Sequence, residues 1–325
     1  MNFYWIIAVI AMLCWSGSDI FSKIGSPQED KFSHYKVGIA VGLVMGFHAI
    51  YMVTLGGIHL TFQDIINYLP ASFFYILSMV IGYIGLRYIE LSISSPICNG
   101  SGAVSAILCM LFFGVTFNPN SDGNEVFLNI PIIIGIILIV AGIIALGVID
   151  NTEDPELRLK RQQSANRKYA KSWLAILLPV MYCIIDSLGT FVDTLIAEDY
   201  PAKYEGLVAD AENYAGDVLN TSYEFTWLAI AIVFAIYVFV IKKEKISPKI
   251  DGTKFLGGIC ETVGQVFYMM VIVAGYVPGY VIISAYCAVS SIWGSIFLKE
   301  KLSAKHYIAL AAAFAGILIL GFYDV

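Results

Sequence analysis

The stretch PIIIGIILIVAGIIALGVI occupies residues 131–149 and contains no charged side chain. A helix that crosses the hydrocarbon core of a bilayer needs about 20 mainly apolar residues, and this stretch supplies them. The rest of the chain has the same character, because 58% of its 325 residues are hydrophobic, 14% are charged and the mean hydropathy is +0.77. This composition cannot cover a water-soluble protein with polar surface and predicts an all-α integral membrane protein.

Hydropathy windows of about 19 residues predict ten transmembrane helices along the chain. They are expected near 3–25, 35–56, 70–89, 93–116, 129–149, 172–196, 223–241, 254–274, 278–298 and 304–322. The basic segment that contains NTEDPELRLKRQQSANRKYAK divides them into five and five. We therefore expect a first five-helix repeat at 1–149, a basic cytoplasmic linker at 150–171 and a second five-helix repeat at 172–325.

Basic residues are distributed unevenly among the predicted loops. The loops after helices 1, 3, 5, 7 and 9 carry 18 of the 19 lysines and arginines, whereas the other loops carry only Lys203. The positive-inside rule assigns basic loops to the cytoplasm, which predicts a multi-pass protein of the cytoplasmic membrane with both termini outside. The acidic segment 197–222 is then expected as an external loop.

The two predicted halves resemble each other near their ends. RYIELSISSPICNGSGAVSAILCMLFFG (87–114) and IIIGIILIVAGIIALG (132–147) close the first half. VPGYVIISAYCAVSSIWGSIFLKEKLS (277–303) and YIALAAAFAGILILG (307–321) close the second. Because each half has an odd number of helices, the halves have opposite orientations, and such inverted repeats are typical of secondary transporters.

With these features the chain resembles the drug/metabolite transporter superfamily, whose EamA-type members have two five-helix halves. The segment FLKEKLSAKHYIALAAAFAGILIL (297–320) resembles the family's last loop and helix, with Lys299 where glycine is usual and Glu300 kept. GVTFNPNSDGNEVFLNI (114–130), its first-half counterpart, lacks that pattern. The resemblance implies alternating-access transport of a small polar metabolite, and the charge layout is similar to that of the glucose and rhamnose uptake branches.

Three carboxylates inside predicted helices are candidate substrate- or proton-binding groups. An ionised side chain near the bilayer centre costs about 2.5 kcal/mol or more unless it is paired or faces water. Asp19 and Asp186 lie in corresponding helices of the two halves, and Glu261 lies in the eighth helix. The structural alternative for Asp19 is an ion pair with Lys23, whose long side chain would reach the cytoplasmic surface.

Polar and aromatic residues on nearby helix faces are candidates for the same site. Gln265 and Tyr268 share a face with Glu261. Polar or small residues deep in a membrane are expected to line a water-filled space or to pack helices together. The remaining candidates of this kind are Trp15, Asn99, Ser101, Tyr286, Ser290 and Trp293.

The partners expected from the sequence are a small-molecule substrate, a coupling proton and the lipid bilayer. No motif for nucleic acid, a metal or a cofactor is present, and the six cysteines have neither disulfide nor metal-ligand spacing. Gly38, Gly42 and Gly46 form a GxxxGxxxG run that serves helix packing, either within a monomer or in a homodimer.

Other functions are compatible with parts of the sequence. An exporter of metabolites or drugs would have the same architecture. A membrane enzyme is suggested only by His59 and Asp64, whose spacing occurs in some acyltransferases, and no nucleophile triad or phosphate-binding loop accompanies them. A membrane subunit without transport activity is the third alternative.

Overall fold

The computed structural model describes residues 3–117, 126–163, 165, 169, 173–273 and 277–323. Within these residues, seven helices are long and apolar enough to cross a membrane. They are Phe3–Ile24, Ser33–Thr54, Phe62–Gly85, Leu91–Phe113, Ile130–Thr152, Ala175–Lys203 and Ala211–Ile241. Two shorter apolar helices are Ile282–Phe297 and Ala304–Leu320. The protein therefore has the composition and secondary structure of an all-α, multi-pass membrane protein.

The helical elements are numbered here in chain order. They are α1 (Phe3–Ile24), α2 (Ser33–Thr54), α3 (Phe62–Gly85), α4 (Leu91–Cys98), α5 (Ser101–Phe113), α6 (Ile130–Thr152), α7 (Pro155–Gln162), α8 (Trp173–Asp199), α9 (Ala211–Ala235), α10 (Pro248–Val273), α11 (Val277–Ser284), α12 (Tyr286–Phe297) and α13 (Ala304–Tyr323). A π-helical segment, Ile236–Ile241, continues α9, and Pro201–Lys203 is a 3₁₀ turn. Strands β1 (Val115–Thr116) and β2 (Val126–Phe127) form a short parallel pair.

Two helices begin well before the positions predicted by hydropathy. Thr61 and Asp64 form a capping box at the start of α3, and the Asp210 side chain accepts a hydrogen bond from the Asn213 backbone N–H at the start of α9. Caps stabilise polar first turns, which a hydropathy window does not detect. The prediction that 197–222 is entirely a loop is wrong for its second part, because α9 begins at Ala211.

Two of the predicted continuous helices are each interrupted by a tight turn, which we call a break. The predicted helix 93–116 divides into α4 and α5 at Asn99 and Gly100, and 278–298 divides into α11 and α12 at Ala285. The breaks touch each other, since the Asn99 side-chain amide donates to the Ser284 carbonyl oxygen at 3.0 Å. The backbone angles of Asn99, Gly100 and Ala285 stay in the αR region, so each break is a turn within a helical path.

Long-range helix packing brings the beginning and the end of the chain together. The most extensive pairs are α1 with α10, α2 with α9, α3 with α8 and α6 with α13. Helix α4 also packs on α12, and α5 packs on α8. The broken helices therefore lie between α1 and α8.

The glycine run of α2 packs within the chain, which answers the question left open by the sequence. A Cβ atom on Gly42 would lie 2.6 Å from the Ala231 Cβ and 2.6 Å from the Trp227 carbonyl oxygen, both on α9. Gly38 and Gly46 face Phe234 and Leu228 of the same helix. The spacing thus permits close α2–α9 contact.

Loops that follow alternate long helices meet at opposite ends of the molecule. At one end, Arg87 after α3 donates to the Gln28 carbonyl oxygen after α1 at 2.6 Å. Arg161 of α7 donates to the Lys301 carbonyl oxygen after α12 at 2.7 Å. We call this the basic end, because it gathers the loops rich in lysine and arginine. At the other end, the backbone N–H of His59 donates to the Tyr214 hydroxyl at 2.9 Å.

Candidate functional site

The Asp19 carboxylate joins α1 to both broken helices. Its Oδ2 accepts a hydrogen bond from Ser95 Oγ of α4 at 2.6 Å and another from Ser290 Oγ of α12 at 2.7 Å. Ser16, one turn earlier on α1, donates to the Tyr286 carbonyl oxygen at the start of α12 at 2.9 Å. Ser95 lies in the polar run 94–102.

The Asp186 carboxylate has a similar position on α8. It accepts a hydrogen bond from Ser78 Oγ of α3 at 3.0 Å, and the Ser101 hydroxyl also donates to it. The next residue, Ser187, donates to the Ser101 carbonyl oxygen at 2.9 Å. Asp186 therefore connects α8 with α3 and with the start of α5.

Glu261 of α10 brings a third carboxylate to the same region. It accepts a hydrogen bond from the Ser18 hydroxyl and is close enough to Asp19 and Asp186 to interact with both electrostatically. Each of the three acids is half-buried, although its helix packs against several others. Accessible surface among packed helices marks a space that admits groups at least as large as water.

The structural alternative for Asp19 placed the Lys23 side chain at the cytoplasmic surface, and this placement is wrong. Its side chain is completely buried and does not reach a surface. The ammonium group donates to the carbonyl oxygens of Leu86 (2.6 Å) and Ile89, and it lies 4.4 Å from the centre of the Tyr169 ring. These carbonyls follow the end of α3, where the helix leaves them without a backbone partner.

Aromatic rings lie beside the carboxylates. The Trp15 ring is 5.0 Å from that of Tyr268 and 5.6 Å from that of Tyr286, measured between centroids. The Trp15 indole N–H and the hydroxyl of Tyr83 are buried and have no hydrogen-bond partner among the described residues. Tyr83 interacts electrostatically with Glu261 and Asp19, so its free hydroxyl belongs to this region. Buried polar groups normally have partners, and these two leave hydrogen-bonding capacity in the site.

Three of the predicted site residues have other contacts. Gln265 donates to the Asn220 side-chain oxygen on α9 at 3.3 Å. Asn99 holds the two helix breaks together, as described above. Trp293 packs edge-on against Phe297 at 6.2 Å within α12. They support the helices around the carboxylates, and the other predicted residues lie at the carboxylates or beside their aromatic wall.

The structure also shows two groups of hydrogen-bonded polar side chains that the sequence did not predict. Asp193 accepts hydrogen bonds from the hydroxyls of Tyr68 (2.7 Å) and Tyr75 (3.3 Å). His48 lies 2.8 Å from the Glu224 carboxylate. Since the partners are far apart in sequence, only the helix packing could reveal them.

An ionic network at the basic end links α7 to the start of α4 and the end of α6. Glu90, at the start of α4, pairs with Arg158 (3.4 Å) and Arg161 (3.1 Å) of α7. Although burial opposes ionisation, these two arginines hold the pKa of Glu90 below its ordinary value. The arginines also pair with Asp150 (3.1 Å) and Glu153 (2.9 Å) at the end of α6.

Glu300, in the loop after α12, caps the start of α4. Its carboxylate accepts hydrogen bonds from the backbone N–H groups of Leu91 (3.1 Å) and Ser92 (3.0 Å) and from the Ser92 hydroxyl (2.7 Å). A carboxylate at a helix N-terminus satisfies free N–H groups and interacts favourably with the helix dipole. This contact fixes the start of α4 to the loop after α12.

The described residues contain one group with the spacing of a metal site. Potential ligand atoms of Asp150, Glu153 and His306 lie within 4.8 Å of one another. Arg158 and Arg161 already supply positive charge to the two carboxylates, which disfavours a cation there. The six cysteines are all free, as predicted.

In the pair whose spacing resembles that of some acyltransferases, His59 and Asp64, the aspartate has a structural role. The Asp64 side chain is buried and accepts hydrogen bonds from Thr61, Tyr200 and Lys203. It thereby caps α3 and ties it to the segment after α8. His59 is exposed in the preceding loop.

Comparison with known proteins gives little information about this chain. No protein-family profile matches it, and no curated protein matches it. A solved structure described only as the crystal structure of a protein is 12% identical, covers 97% of this chain and 94% of its own, and has a TM-score of 0.49.

Proposed function

We propose that the protein is a secondary active transporter that moves a small polar metabolite across the cytoplasmic membrane by alternating access. In this proposal it has ten transmembrane helices in two inverted halves and is similar to EamA-type members of the drug/metabolite transporter superfamily. The observation that carries the proposal is that Asp19 and Asp186, from corresponding helices of the two halves, both lie within electrostatic range of Glu261 and beside the two broken helices. Transporter sites lie at repeat interfaces formed by discontinuous helices.

The pattern of helix packing supports the inverted repeat. In the proposed repeat, α1, α2, α3 and α6 correspond to α8, α9, α10 and α13. Exchanging each helix for its counterpart turns the α1–α10 pair into the α8–α3 pair and leaves the α2–α9 and α6–α13 pairs unchanged. A pseudo-twofold axis through the site would produce this set of pairs.

Individual residue contacts are also related by this exchange of helices. A Cβ on Gly264 of α10 would lie 2.6 Å from the Trp15 ring of α1, and one on Gly82 of α3 would lie 2.8 Å from the Tyr182 ring of α8. In each case the aromatic residue precedes the carboxylate of its helix by four residues. The two acids thus have equivalent places relative to the glycine contacts, as expected of a repeat.

The basic end supports the proposed orientation and a role for the linker. Under the positive-inside rule this end faces the cytoplasm, which places both termini outside. The ion pairs of Glu90 with Arg158 and Arg161, together with the Arg161 hydrogen bond to the Lys301 carbonyl oxygen, would hold the cytoplasmic ends of the halves together in this conformation. Opening of the site to the cytoplasm would require these contacts to rearrange, as alternating access demands.

Proton coupling follows from the charge of the site. Keeping three nearby carboxylates ionised in a low-dielectric region is costly, so at least one is expected to bind a proton during part of the cycle. Inward proton movement would then drive uptake, which is the direction we propose.

The test uses the purified protein in vesicles loaded with a fluorescent pH indicator. Sugars, amino acids and amines are added separately, and a transported solute should change the internal pH. We expect Asp19→Asn, Asp186→Asn and Glu261→Gln to abolish the response, whereas Asp199→Asn, which alters an exposed acid on α8, should retain it. Normal responses from all three site variants would contradict the site assignment, and a reversed proton flux would indicate an exporter.

A further inference from the structure

The charge balance of the site restricts what it can bind. Within the described part of the chain, no lysine, arginine or histidine forms an ion pair with Asp19, Asp186 or Glu261. The nearest basic residue along α1, Lys23, directs its ammonium group to the carbonyl oxygens after α3. The acids are therefore not balanced by a cationic side chain in this conformation.

Neutral hydroxyl groups make the hydrogen bonds to these carboxylates. Ser95 and Ser290 donate to Asp19, and Ser78 donates to Asp186. Such bonds stabilise a carboxylate without cancelling its charge. A ligand that carried positive charge would supply the missing balance, whereas a neutral or anionic ligand would leave it unmet or make it worse.

A second observation indicates that the region is built to hold a ligand. The Tyr83 side chain is 8% exposed, its hydroxyl has no partner among the described residues, and it lies within electrostatic range of Glu261 and Asp19. A buried hydroxyl beside two acids that bonds to neither is available to a bound molecule.

The aromatic wall favours an organic cation over a metal ion. Trp15 packs against Tyr268 and Tyr286 next to the Asp19 hydrogen bonds. Aromatic faces attract ammonium groups and also contact their alkyl chains. Hard metal ions prefer a shell of six or more oxygen ligands, which indole and phenol rings do not provide.

From these observations we infer that the space between Asp19, Asp186 and Glu261 binds a small aliphatic amine or diamine. The carboxylates neutralise its ammonium groups, the Tyr83 hydroxyl accepts a hydrogen bond from one of them, and the rings of Trp15 and its neighbours cover the alkyl chain. This inference rests on the proposed function for its physiological meaning, since it names the substrate class of the same site.

The experiment measures binding directly, by calorimetric titration of the full chain in detergent. The probes are butane-1,4-diamine, butylamine and the uncharged analogue butane-1,4-diol, with sodium chloride as the inorganic cation. We expect saturable binding of at least one amine and none of the diol or of sodium. Equal binding of the diol, preference for sodium, or failure of both amines to bind would overturn the inference.

Single-residue variants test where on the protein the amine binds. Asp19→Asn, Asp186→Asn and Glu261→Gln should each weaken amine binding at least tenfold, and Tyr83→Phe should weaken it less because only one hydrogen bond is lost. Asp199→Asn is the control and should bind like the wild type. If one acidic variant fails to fold, the others and the wild-type comparison of amine with diol still decide the matter, and undiminished binding in folded variants would refute the site.

Failure of this inference and failure of the proposed function give different results. Amine binding without any solute flux in vesicles would support the ligand class and contradict transport. Flux of a neutral solute, together with no amine binding, would support transport and contradict the ligand class.

Discussion

Replacement of Glu90 by glutamine tests the role of the ionic network at the basic end. Glutamine has nearly the same shape but no charge, so Arg158 and Arg161 lose a buried partner at 3.4 and 3.1 Å. Removing one member of a buried ion pair costs about 3–5 kcal/mol when the other charge is left alone. Here both arginines keep a carboxylate on α6, and glutamine can still accept a hydrogen bond, so we expect a smaller cost of about 2 kcal/mol.

That free energy should appear as local opening of α7. A cost of about 2 kcal/mol corresponds to about a 30-fold change in the equilibrium between docked and undocked α7. Amide hydrogen exchange across 155–162 should accelerate by about this factor in Glu90→Gln. Glu156→Gln alters an exposed acid on the same helix and should leave exchange unchanged. Wild-type exchange rates in Glu90→Gln would refute the reasoning.

The same residue predicts a pH dependence. The pKa of Glu90 lies below its ordinary value of 4.5 because Arg161 and Arg158 outweigh the effect of burial. A lowered pKa means that the stabilisation is fully present above pH 4.5 and is lost as the pH falls through the pKa of the docked state. Exchange in α7 should therefore accelerate on acidification in the wild type, and the Glu90→Gln variant should lack this part of the response. An identical acid response in both proteins would contradict the assignment.

Two further predictions concern helix packing. Gly42→Val should destabilise the protein by about 1–3 kcal/mol, because its side chain would overlap α9, whereas a Cβ at Gly102 meets nothing within 4 Å and Gly102→Ala should be neutral. Thermal unfolding measured in detergent distinguishes the two, and equal midpoints would contradict the α2–α9 contact. His48→Ala should lower the unfolding temperature because it leaves the Glu224 carboxylate buried without its partner at 2.8 Å, and Glu224→Gln in addition should recover part of the loss. Absence of any recovery in the double variant would show that the pair is not coupled.

Sequence patterns located the apolar helices well, because burial in lipid requires long runs of apolar side chains. They were less reliable at polar helix ends, since the first turns of α3 and α9 depend on caps at Thr61 and Asp210. The breaks beside Asn99 and Ala285 were also missed. A polar run such as 94–102 indicates that a helix can break, but whether it does depends on contacts with other helices.

For the candidate site, the cost of placing a charge in lipid was sufficient to single out Asp19, Asp186 and Glu261 from the sequence. Two of their hydroxyl partners, Ser101 and Ser290, were among the predicted site residues. Ser18 and Ser78 were not predicted, because serines serve helix packing as often as they bind ligands. Asp193 shows the same limit, since its hydrogen bonds with two tyrosines depend on the packing of α8 against α3.

The sequence by itself determined that the chain is an all-α membrane protein and which acids lie within its helices, because both follow from local composition and the length of apolar runs. Only the tertiary structure decided that these acids converge, that Lys23 turns away from them and that α2 packs on α9. These features depend on contacts between helices far apart in the chain, and hydropathy carries no information about which apolar surfaces meet.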